Sequence, residues 1–280
     1  MRALDELLDY QDYPVLAAKN STMARRPLGV GIINLAYWLA RNDLSYQDID
    51  HDGLSRIHSF TEGWSYYLIK ASIDLAKEKG ACPKSNETKY SQGIMPVDTY
   101  KKDLDSICVP QYRFQWEKLR EEAKKYGIRN STLMALMPSE TSAQISNSTN
   151  GIEPPRSLVS VKQSKDGVLK QVVPEVRKLK NKYDLLWDQK SPEGYIKIVS
   201  VLQKFIDQGI SVNTSYNPKF YEEEKIPMSE MIKHVLMFYK YGGKQLYYFN
   251  TADGAGEMEI KQPELAQSAF DDEDCESCKI

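Results

Sequence analysis

The chain has 280 residues, of which 41% are hydrophobic and 27% charged, and its formal net charge is −2. This composition is ordinary for a soluble globular protein with a sizeable core, and the length fits one large domain or two small ones. Without an excess of basic residues the chain has no field that could hold a phosphate backbone, which argues against DNA or RNA binding.

The N-terminal sequence and the cysteines indicate the cellular compartment. The segment MRALDELLDYQDY carries acidic residues where a signal peptide needs an apolar core, and the longest apolar stretch, 27–40, is too short to span a bilayer. Cys82 and Cys108 are isolated in the sequence, which argues against a disulfide framework. We therefore expect a cytoplasmic protein with no membrane partner.

Four helices are predicted in chain order. Residues 63–80 have apolar side chains at helical spacing, lysines in the last turn and a glycine at the end. A second helix is predicted over 112–126. Ser191 is a good N-cap and Pro192 occupies the first helical position, which predicts a helix to about residue 208. A last helix is predicted over 228–241.

Short apolar runs after three of these helices predict β-strands. They cover 132–137, 209–214 and 245–249, and this alternation predicts a largely parallel α/β sheet or barrel. Residues 158–173, with Asp166-Gly167 at the middle, predict a β-hairpin. From about residue 255 apolar residues become sparse, so 255–280 is predicted to be a mobile tail after a folded region of 1–254.

The polar turn after the first strand is a candidate anion site. It consists of Pro138, Ser139, Glu140, Thr141 and Ser142 between a buried strand and a helix start, a position at the carboxyl end of a strand where ligands bind. Unpaired N–H groups at the helix start, together with the hydroxyls, could hold a phosphate without a lysine. The alternative is that the hydroxyls merely cap the helix. Glu140 counts against an anion site unless its side chain points away.

Five longer motifs extend this interpretation to the whole chain. They are NSTMARRPLGVGIINLAYWLA at 20–40, ACPKSNETKYSQGIMPVDTYKKDLD at 81–105, MPSETSAQISNSTNGIEPPR at 137–156, LYYFNTADGA at 246–255 and the terminal CESCKI. Together they resemble the C-terminal part of the large subunit of class I ribonucleotide reductase, of the bacterial and T4-like phage type. The resemblance implies an α/β fold, the second half of a ten-stranded α/β barrel, in 1–254 and a flexible acidic tail in 255–280.

The resemblance also implies roles for two sets of residues in reducing ribonucleoside diphosphates to deoxyribonucleoside diphosphates. The diphosphate of the substrate would bind to Pro138, Ser139, Glu140, Thr141 and Ser142. Tyr247 and Tyr248 match the tyrosines that relay a radical between the small subunit and the active-site cysteine, and the alternative is two core tyrosines in a strand. Because consecutive strand residues point to opposite faces, we predict a local departure from strand geometry that lets the two rings stack.

Cys275 and Cys278 match the family's tail cysteines, which reduce the active-site disulfide and are themselves reduced by thioredoxin or glutaredoxin. A dithiol with these two tasks needs a flexible arm, and about twenty disordered residues reach roughly 25 Å. Zinc binding is the alternative, but the pair supplies two of the four ligands of a structural site and no histidine lies nearby in the sequence. A stand-alone thiol oxidoreductase is a further alternative. It would need its C-x-x-C at a helix N-terminus, whereas this pair lies in the acidic tail. We interpret Cys82 and Cys108 as structural or incidental.

The family's radical cysteine, its reducing pair and its nucleotide-binding cone have no matching motif here. The resemblance therefore implies an N-terminal large-subunit polypeptide that carries the radical cysteine and the ATP/dATP effectors, and a small subunit with a di-iron centre and tyrosyl radical. No metal or cofactor is expected in this chain, and its location would be the host cytoplasm if it is phage-encoded. The helix at 228–241, with Met231, Val235 and Phe238 or Tyr239 on one side, is a candidate for docking the small subunit.

Three interpretations of this arrangement stay open. The chain is part of a naturally divided large subunit, an inactive remnant, or a non-enzymatic interaction protein with a redox-sensitive tail. Because every functional motif expected in this half is intact, the sequence favours the divided subunit.

Overall fold

The computed structural model describes residues 1–164 and 167–252, with the side chains of 161–170 outside the description. The helices of this part are α1 (Arg2–Tyr10), α2 (Leu16–Arg25), α3 (Leu35–Arg41), α4 (His51–Lys79), α5 (Trp116–Tyr126), α6 (Glu140–Ile145), α7 (Val176–Leu179), α8 (Glu193–Gln203) and α9 (Met228–Lys240). The strands are β1 (Val159–Ser164), β2 (Gly167–Val172), β3 (Val212–Tyr216) and β4 (Leu246–Thr251). Short 3₁₀ helices cover Ser85–Glu87, Tyr90–Gln92, Pro96–Asp98, Lys102–Ser106, Leu186–Asp188, Pro218–Phe220 and Glu222–Glu224.

Four extended segments lie side by side and run in the same direction. In spatial order they are 28–31, 133–136, β3 with the residues just before it, and β4. The Val30–Met134 and Leu136–Ile210 bridges are parallel, and β3 pairs with β4 in parallel. The α/β class predicted from the sequence is therefore confirmed. The predicted strand at 132–137 is extended and bonded on both sides, but only through isolated bridges, and the ten-stranded barrel stays a prediction.

One carboxylate fixes the second of these segments. Asp207, just after α8, accepts hydrogen bonds from the N–H groups of Leu133 and Met134 and from the Tyr90 hydroxyl, each at 2.8 Å. Burial raises the pKa of the Asp207 carboxyl, although these hydrogen bonds act in the opposite direction. Because Leu133 and Met134 are completely buried, their N–H groups depend on partners inside the protein.

Helices α4 and α8 cover the parallel segments and build the core. Helix α8 is buried on nearly every side, as expected of a helix between a sheet and a second layer of helices. The Ser65 hydroxyl of α4 donates to the Phe205 carbonyl just beyond α8 at 2.8 Å. Gly194 permits α8 to begin against the Tyr46 carbonyl oxygen, which a Cβ atom there would meet at 1.8 Å.

The predicted starts of two helices were wrong. Helix α4 begins at His51, not at 63, because Asp50 caps it by accepting the N–H of Gly53 at 2.8 Å. Helix α5 begins at Trp116, not at 112. The N–H groups of Arg113 and Phe114 donate to the carboxylate of Glu62, which keeps the preceding residues out of the helix.

The end predicted for α8 was also wrong, whereas the hairpin is confirmed. Helix α8 stops at Gln203, since the Gln203 amide donates to the carbonyls of Ile206 and Gln208 and turns the chain.

Strands β1 and β2 pair antiparallel from Val159–Val172 to Ser164–Gly167. None of the helices in the described part of the chain combines the length and apolarity that a bilayer crossing needs.

We predict that Asp207→Leu lowers the free energy of unfolding by about 3 kcal/mol or more, because it leaves two buried N–H groups unsatisfied at about 1–3 kcal/mol each. Urea denaturation measures this. Tyr90→Phe is the matched control, since it removes one hydrogen bond to the same carboxylate and is expected to cost about 1 kcal/mol. Equal urea midpoints for the two variants would show that Asp207 does not anchor the segment.

Candidate functional site

A cavity of about 1030 Å³ opens where the parallel segments end. We call it the strand-end cavity, and its lining includes Pro138, Glu140, Asn150, Glu153, Arg156, Asn213, Tyr247, Tyr248 and Asn250. Both strands of the β1–β2 hairpin contribute to one wall. Its volume lies at the upper end of the range for small-molecule sites, so a nucleotide-sized ligand fits.

The 138–142 turn reaches this cavity through only two of its residues. Pro138 and Glu140 line the cavity, Ser139 is buried, and the side chains of Thr141 and Ser142 are exposed. The turn is held from behind, since the Ser139 N–H donates to Asn150 Oδ1 at 3.0 Å. The structure thus brings the turn to a cavity, as an anion site requires.

The alternative that Ser139 caps the helix is not what the structure shows. The Ser139 hydroxyl donates to the Met137 carbonyl at 3.0 Å and makes no hydrogen bond to the start of α6. The first bond of the helix runs from the Ala143 N–H to the Ser139 carbonyl at 2.8 Å. The N–H groups of Thr141 and Ser142 precede this bond and have no acceptor within the helix.

Tyr247 and Tyr248 lie next to each other on the cavity wall. Their ring centroids are 4.1 Å apart with 49° between the planes, and the Tyr248 hydroxyl donates to the Tyr247 oxygen at 3.2 Å. This hydrogen bond raises the pKa of Tyr248. The side chains are 48% and 54% exposed, so the alternative of two core tyrosines is wrong.

A β-bulge brings the two rings to the same side. Val212 pairs with Leu246 and Thr214 pairs with Phe249, so β4 spends one residue more than β3 between these pairs. In a regular strand the two adjacent rings would point to opposite faces. The departure from strand geometry predicted from the sequence is confirmed.

A short hydrogen-bonded chain that the sequence interpretation missed holds the bulge. Asn213 Oδ1 accepts the Tyr248 N–H at 3.1 Å, and Asn213 Nδ2 donates to Glu153 Oε1 at 2.6 Å. Burial raises the pKa of the Glu153 carboxyl. Alternation in β3 could have placed Asn213 on the face opposite buried Val212, but no local signal links it to Glu153.

Two buried polar groups of the cavity wall are also without partners. Within residues 1–164 and 167–252, the Tyr195 hydroxyl and the Gln189 amide nitrogen make no hydrogen bond. Tyr195 is 4% exposed, and burial raises its pKa well above the usual range, so it stays a neutral phenol. The wall therefore offers uncharged donors beside the Glu153 carboxyl.

In the described part of the chain, the two cysteines have the environment expected of structural residues. Cys82 and Cys108 are free and buried, and burial raises the pKa of both thiols, which suits structural rather than reactive residues. Cys275 and Cys278 lie outside the described residues. Among the described side chains no group of three or more His, Cys, Asp or Glu could hold a metal ion.

Helix α9 exposes only part of the apolar face predicted for docking, since Val235 and Tyr239 are exposed and Phe238 is not. Phe238 is buried in the core together with His234, so Phe238 is not available for docking. We define the α9 apolar face by the large exposed side chains, which are Met228, Ile232, Val235, Leu236 and Tyr239. Their spacing places them along one side of the helix.

A parallel array with a large cavity at its strand ends is typical of ligand-binding α/β domains. Residues 1–249 match the family model described as ribonucleotide reductase, barrel domain. The chain therefore belongs to the ribonucleotide reductase family.

Named relatives agree with the family match. The chain is 57% identical over 259 residues to the ribonucleoside-diphosphate reductase subunit alpha of Haemophilus influenzae, which covers 92% of this chain and 34% of the relative. It is 55% identical over 275 residues to ribonucleoside-diphosphate reductase 1 subunit alpha of Escherichia coli, covering 98% and 35%. For subunit alpha of Enterobacteria phage T4 the identity is 46% over 284 residues, covering 100% and 36%. The chain thus spans about a third of the length of these relatives and corresponds to a C-terminal portion of the class I alpha subunit.

Proposed function

We propose that this chain contributes substrate diphosphate binding, radical-relay tyrosines and a tail dithiol to the reduction of ribonucleoside diphosphates to deoxyribonucleoside diphosphates. The observation that carries the proposal is one cavity lined by both the 138–142 turn and the Tyr247–Tyr248 pair. The radical cysteine comes from a separate N-terminal large-subunit polypeptide, and the radical originates in a small subunit.

The diphosphate is bound by the 138–142 turn. The N–H groups of Thr141 and Ser142 precede the first bond of α6 and carry the partial positive charge of a helix start. Arg156 on the cavity wall supplies a full positive charge. Main-chain donors dominate in this arrangement, so Glu140 contributes its backbone and not its carboxylate.

The tyrosine pair passes the radical through the cavity wall. When one ring is a tyrosyl radical, the other phenol gives up an electron and a proton, becoming the radical while the first is restored to tyrosine. Centroids 4.1 Å apart permit the electron transfer, and the hydrogen bond between the two hydroxyls gives the proton a direct path. Exposure of both rings leaves each side accessible to the next member of the relay.

The tail dithiol, Cys275 and Cys278, restores the active site after each turnover. A thiolate attacks the active-site disulfide, a mixed disulfide forms, and the second tail thiol releases it, leaving the tail oxidised for thioredoxin or glutaredoxin to reduce. Strand β4 ends at Thr251, next to cavity-lining Asn250. In general an unstructured chain of about twenty residues has a root-mean-square reach of roughly 25 Å, which exceeds the separation of Asn250 from the rest of the cavity wall that it lines.

The α9 apolar face docks the small subunit. Five large apolar side chains on one side of a helix form the kind of surface that a partner protein covers. Helix α9 is followed directly by β4, so the docking face and the tyrosine pair lie on consecutive elements of the chain. The complex works in the cytoplasm, which is the host cytoplasm if the chain is phage-encoded.

Reconstitution tests the proposed function. Mixed with the N-terminal large-subunit polypeptide and the radical-bearing small subunit, the chain is expected to support nucleotide reduction. The chain alone is expected to have no reductase activity. Tyr247→Phe or Tyr248→Phe is expected to lower turnover by about a hundredfold or more, since phenylalanine has no phenolic proton to give up. Tyr10→Phe, on exposed α1, is the control. Reduction by the isolated chain, or full turnover without either phenol, would overturn the proposal.

The role of the turn is tested with Asn150→Ala, which removes the acceptor of the Ser139 N–H. We expect the KM of the complex for a ribonucleoside diphosphate to rise about tenfold, equivalent to about 1.4 kcal/mol, with kcat little changed. Steady-state kinetics with inorganic pyrophosphate as a competitor measures both substrate and anion affinity. Ser146→Ala, at the other end of α6, is the control. An unchanged KM together with unchanged inhibition by pyrophosphate would contradict diphosphate binding here.

The role of the tail is tested with Cys275→Ser and Cys278→Ser. Each is expected to permit a first turnover of normal amplitude and then lower the steady-state rate with thioredoxin or glutaredoxin by about tenfold or more, because the exchange reaction has lost one partner. Rapid-quench measurement of product separates the two phases. Ser277→Ala, between the cysteines, is the control, and a normal steady state in both cysteine variants would exclude the dithiol role.

A further inference from the structure

The bulge in β4 leaves backbone groups without a hydrogen-bond partner in the β3–β4 ladder. The paired residues on either side are Val212 with Leu246 and Thr214 with Phe249, so Tyr247 and Tyr248 together face Asn213. A regular register would pair each tyrosine with its own residue of β3 and send the two rings to opposite faces. Something must therefore favour the bulged register over the regular one.

We propose that Asn213 and Glu153 are positioning residues that select the bulged register and so keep the Tyr247 and Tyr248 rings in contact. The ring contact itself stands on the geometry alone, and its importance for radical transfer rests on the proposed function. Neither residue exchanges an electron or proton in this role.

The Tyr248 N–H lies within the bulge. It donates to the side-chain oxygen of Asn213 at 3.1 Å. The side chain thus takes the place of the missing ladder acceptor. An aliphatic residue at 213 would leave this N–H without its acceptor in the bulged register, at a loss that the regular register avoids.

The orientation of the Asn213 amide is fixed by its two hydrogen-bond partners. Only its oxygen can accept the Tyr248 N–H, so the amide nitrogen must point the other way. There Glu153 Oε1 accepts from Asn213 Nδ2 at 2.6 Å. A reversed amide would place NH₂ against the Tyr248 N–H and an oxygen against the carboxylate, two repulsive contacts. Glu153 therefore determines which end of Asn213 faces the bulge.

Glu153 acts through an acceptor oxygen, whether or not its carboxyl is ionised. Burial raises the pKa of its carboxyl, and Glu140 acts in the same direction, while the Asn213 hydrogen bond and Arg156 oppose the rise. The ionised and the protonated carboxyl both keep an oxygen that can accept from the Asn213 amide. The network thus needs an acceptor at 153 and not a charge, which distinguishes Glu153→Gln from Glu153→Met.

The test compares these variants by NMR on the full chain labelled with ¹³C throughout the tyrosine rings, so that the ring protons report contact and Cζ reports ionisation. The signals of the two rings are assigned by Tyr247→Phe and Tyr248→Phe. In the native chain we expect a nuclear Overhauser contact between the rings and a raised pKa of Tyr248, caused by its hydrogen bond to Tyr247. Asn213→Leu and Glu153→Met are expected to lose the contact and return the Tyr248 pKa toward about 10. Glu153→Gln is expected to keep both.

Asn217→Leu is the matched control. Asn217 lies just after β3, and its side chain also makes two hydrogen bonds, accepting from the Lys219 N–H and donating to the Trp187 carbonyl. We expect it to lower stability without changing the tyrosine signals. A native ring contact and native Tyr248 titration in Glu153→Met would overturn the proposal, as would their loss in Glu153→Gln.

A kinetic measurement connects the positioning role to turnover. In the reconstituted complex, Asn213→Leu and Glu153→Met are expected to lower kcat about tenfold or more with the KM for the ribonucleoside diphosphate unchanged, and Glu153→Gln is expected to restore kcat. A rise in KM with kcat unchanged would assign these residues to ligand contact and overturn the positioning role. If the native complex is inactive, the proposed function fails, while the NMR comparison still decides the inference.

Discussion

The hydrogen bonds of the Asp207 carboxylate are the interaction on which the position of the 138–142 turn depends. It joins the end of α8 to the segment at 133–136 through the N–H groups of Leu133 and Met134. That segment bridges its neighbours on both sides and continues directly into the 138–142 turn. Because two buried N–H groups converge on one side chain, the direction in which the segment leaves the core is fixed before the turn begins.

The two sides of the strand-end cavity are specified by different constraints. The turn is set by Asp207 at the base of its segment and by Asn150 behind Ser139. The tyrosine pair is set by the β4 bulge, which only β3 contacts among the described strands. The turn and the ring pair can therefore change independently, although both face one cavity. This separation suits the proposed function, in which the turn holds the substrate and the ring pair carries the radical.

Much of this architecture could be predicted from local sequence. Helices α4, α8 and α9 and the hairpin follow from periodicity, capping residues and turn residues. Contact between the Tyr247 and Tyr248 rings required a departure from strand geometry, which could be anticipated. Two of the failed boundaries have local causes, the Asp50 cap at the start of α4 and the Gln203 amide at the end of α8. The other failures depend on contacts distant in sequence. The carboxylate of Glu62 delays α5 by binding N–H groups about fifty residues away, and Glu153 reaches Asn213 across 60 residues. Periodicity carries no information about such pairs.

The edges of the parallel array support assembly with further polypeptide. Within the described residues, segment 28–31 and β4 each have a hydrogen-bonded neighbour on one side only. Open strand edges invite pairing, and the two exposed tyrosine rings lie on one of these edge strands. About two thirds of each named relative lies outside the matched region, which is ample length to cover both edges. Under the proposed function, the N-terminal large-subunit polypeptide that carries the radical cysteine closes the cavity wall that holds Tyr247 and Tyr248.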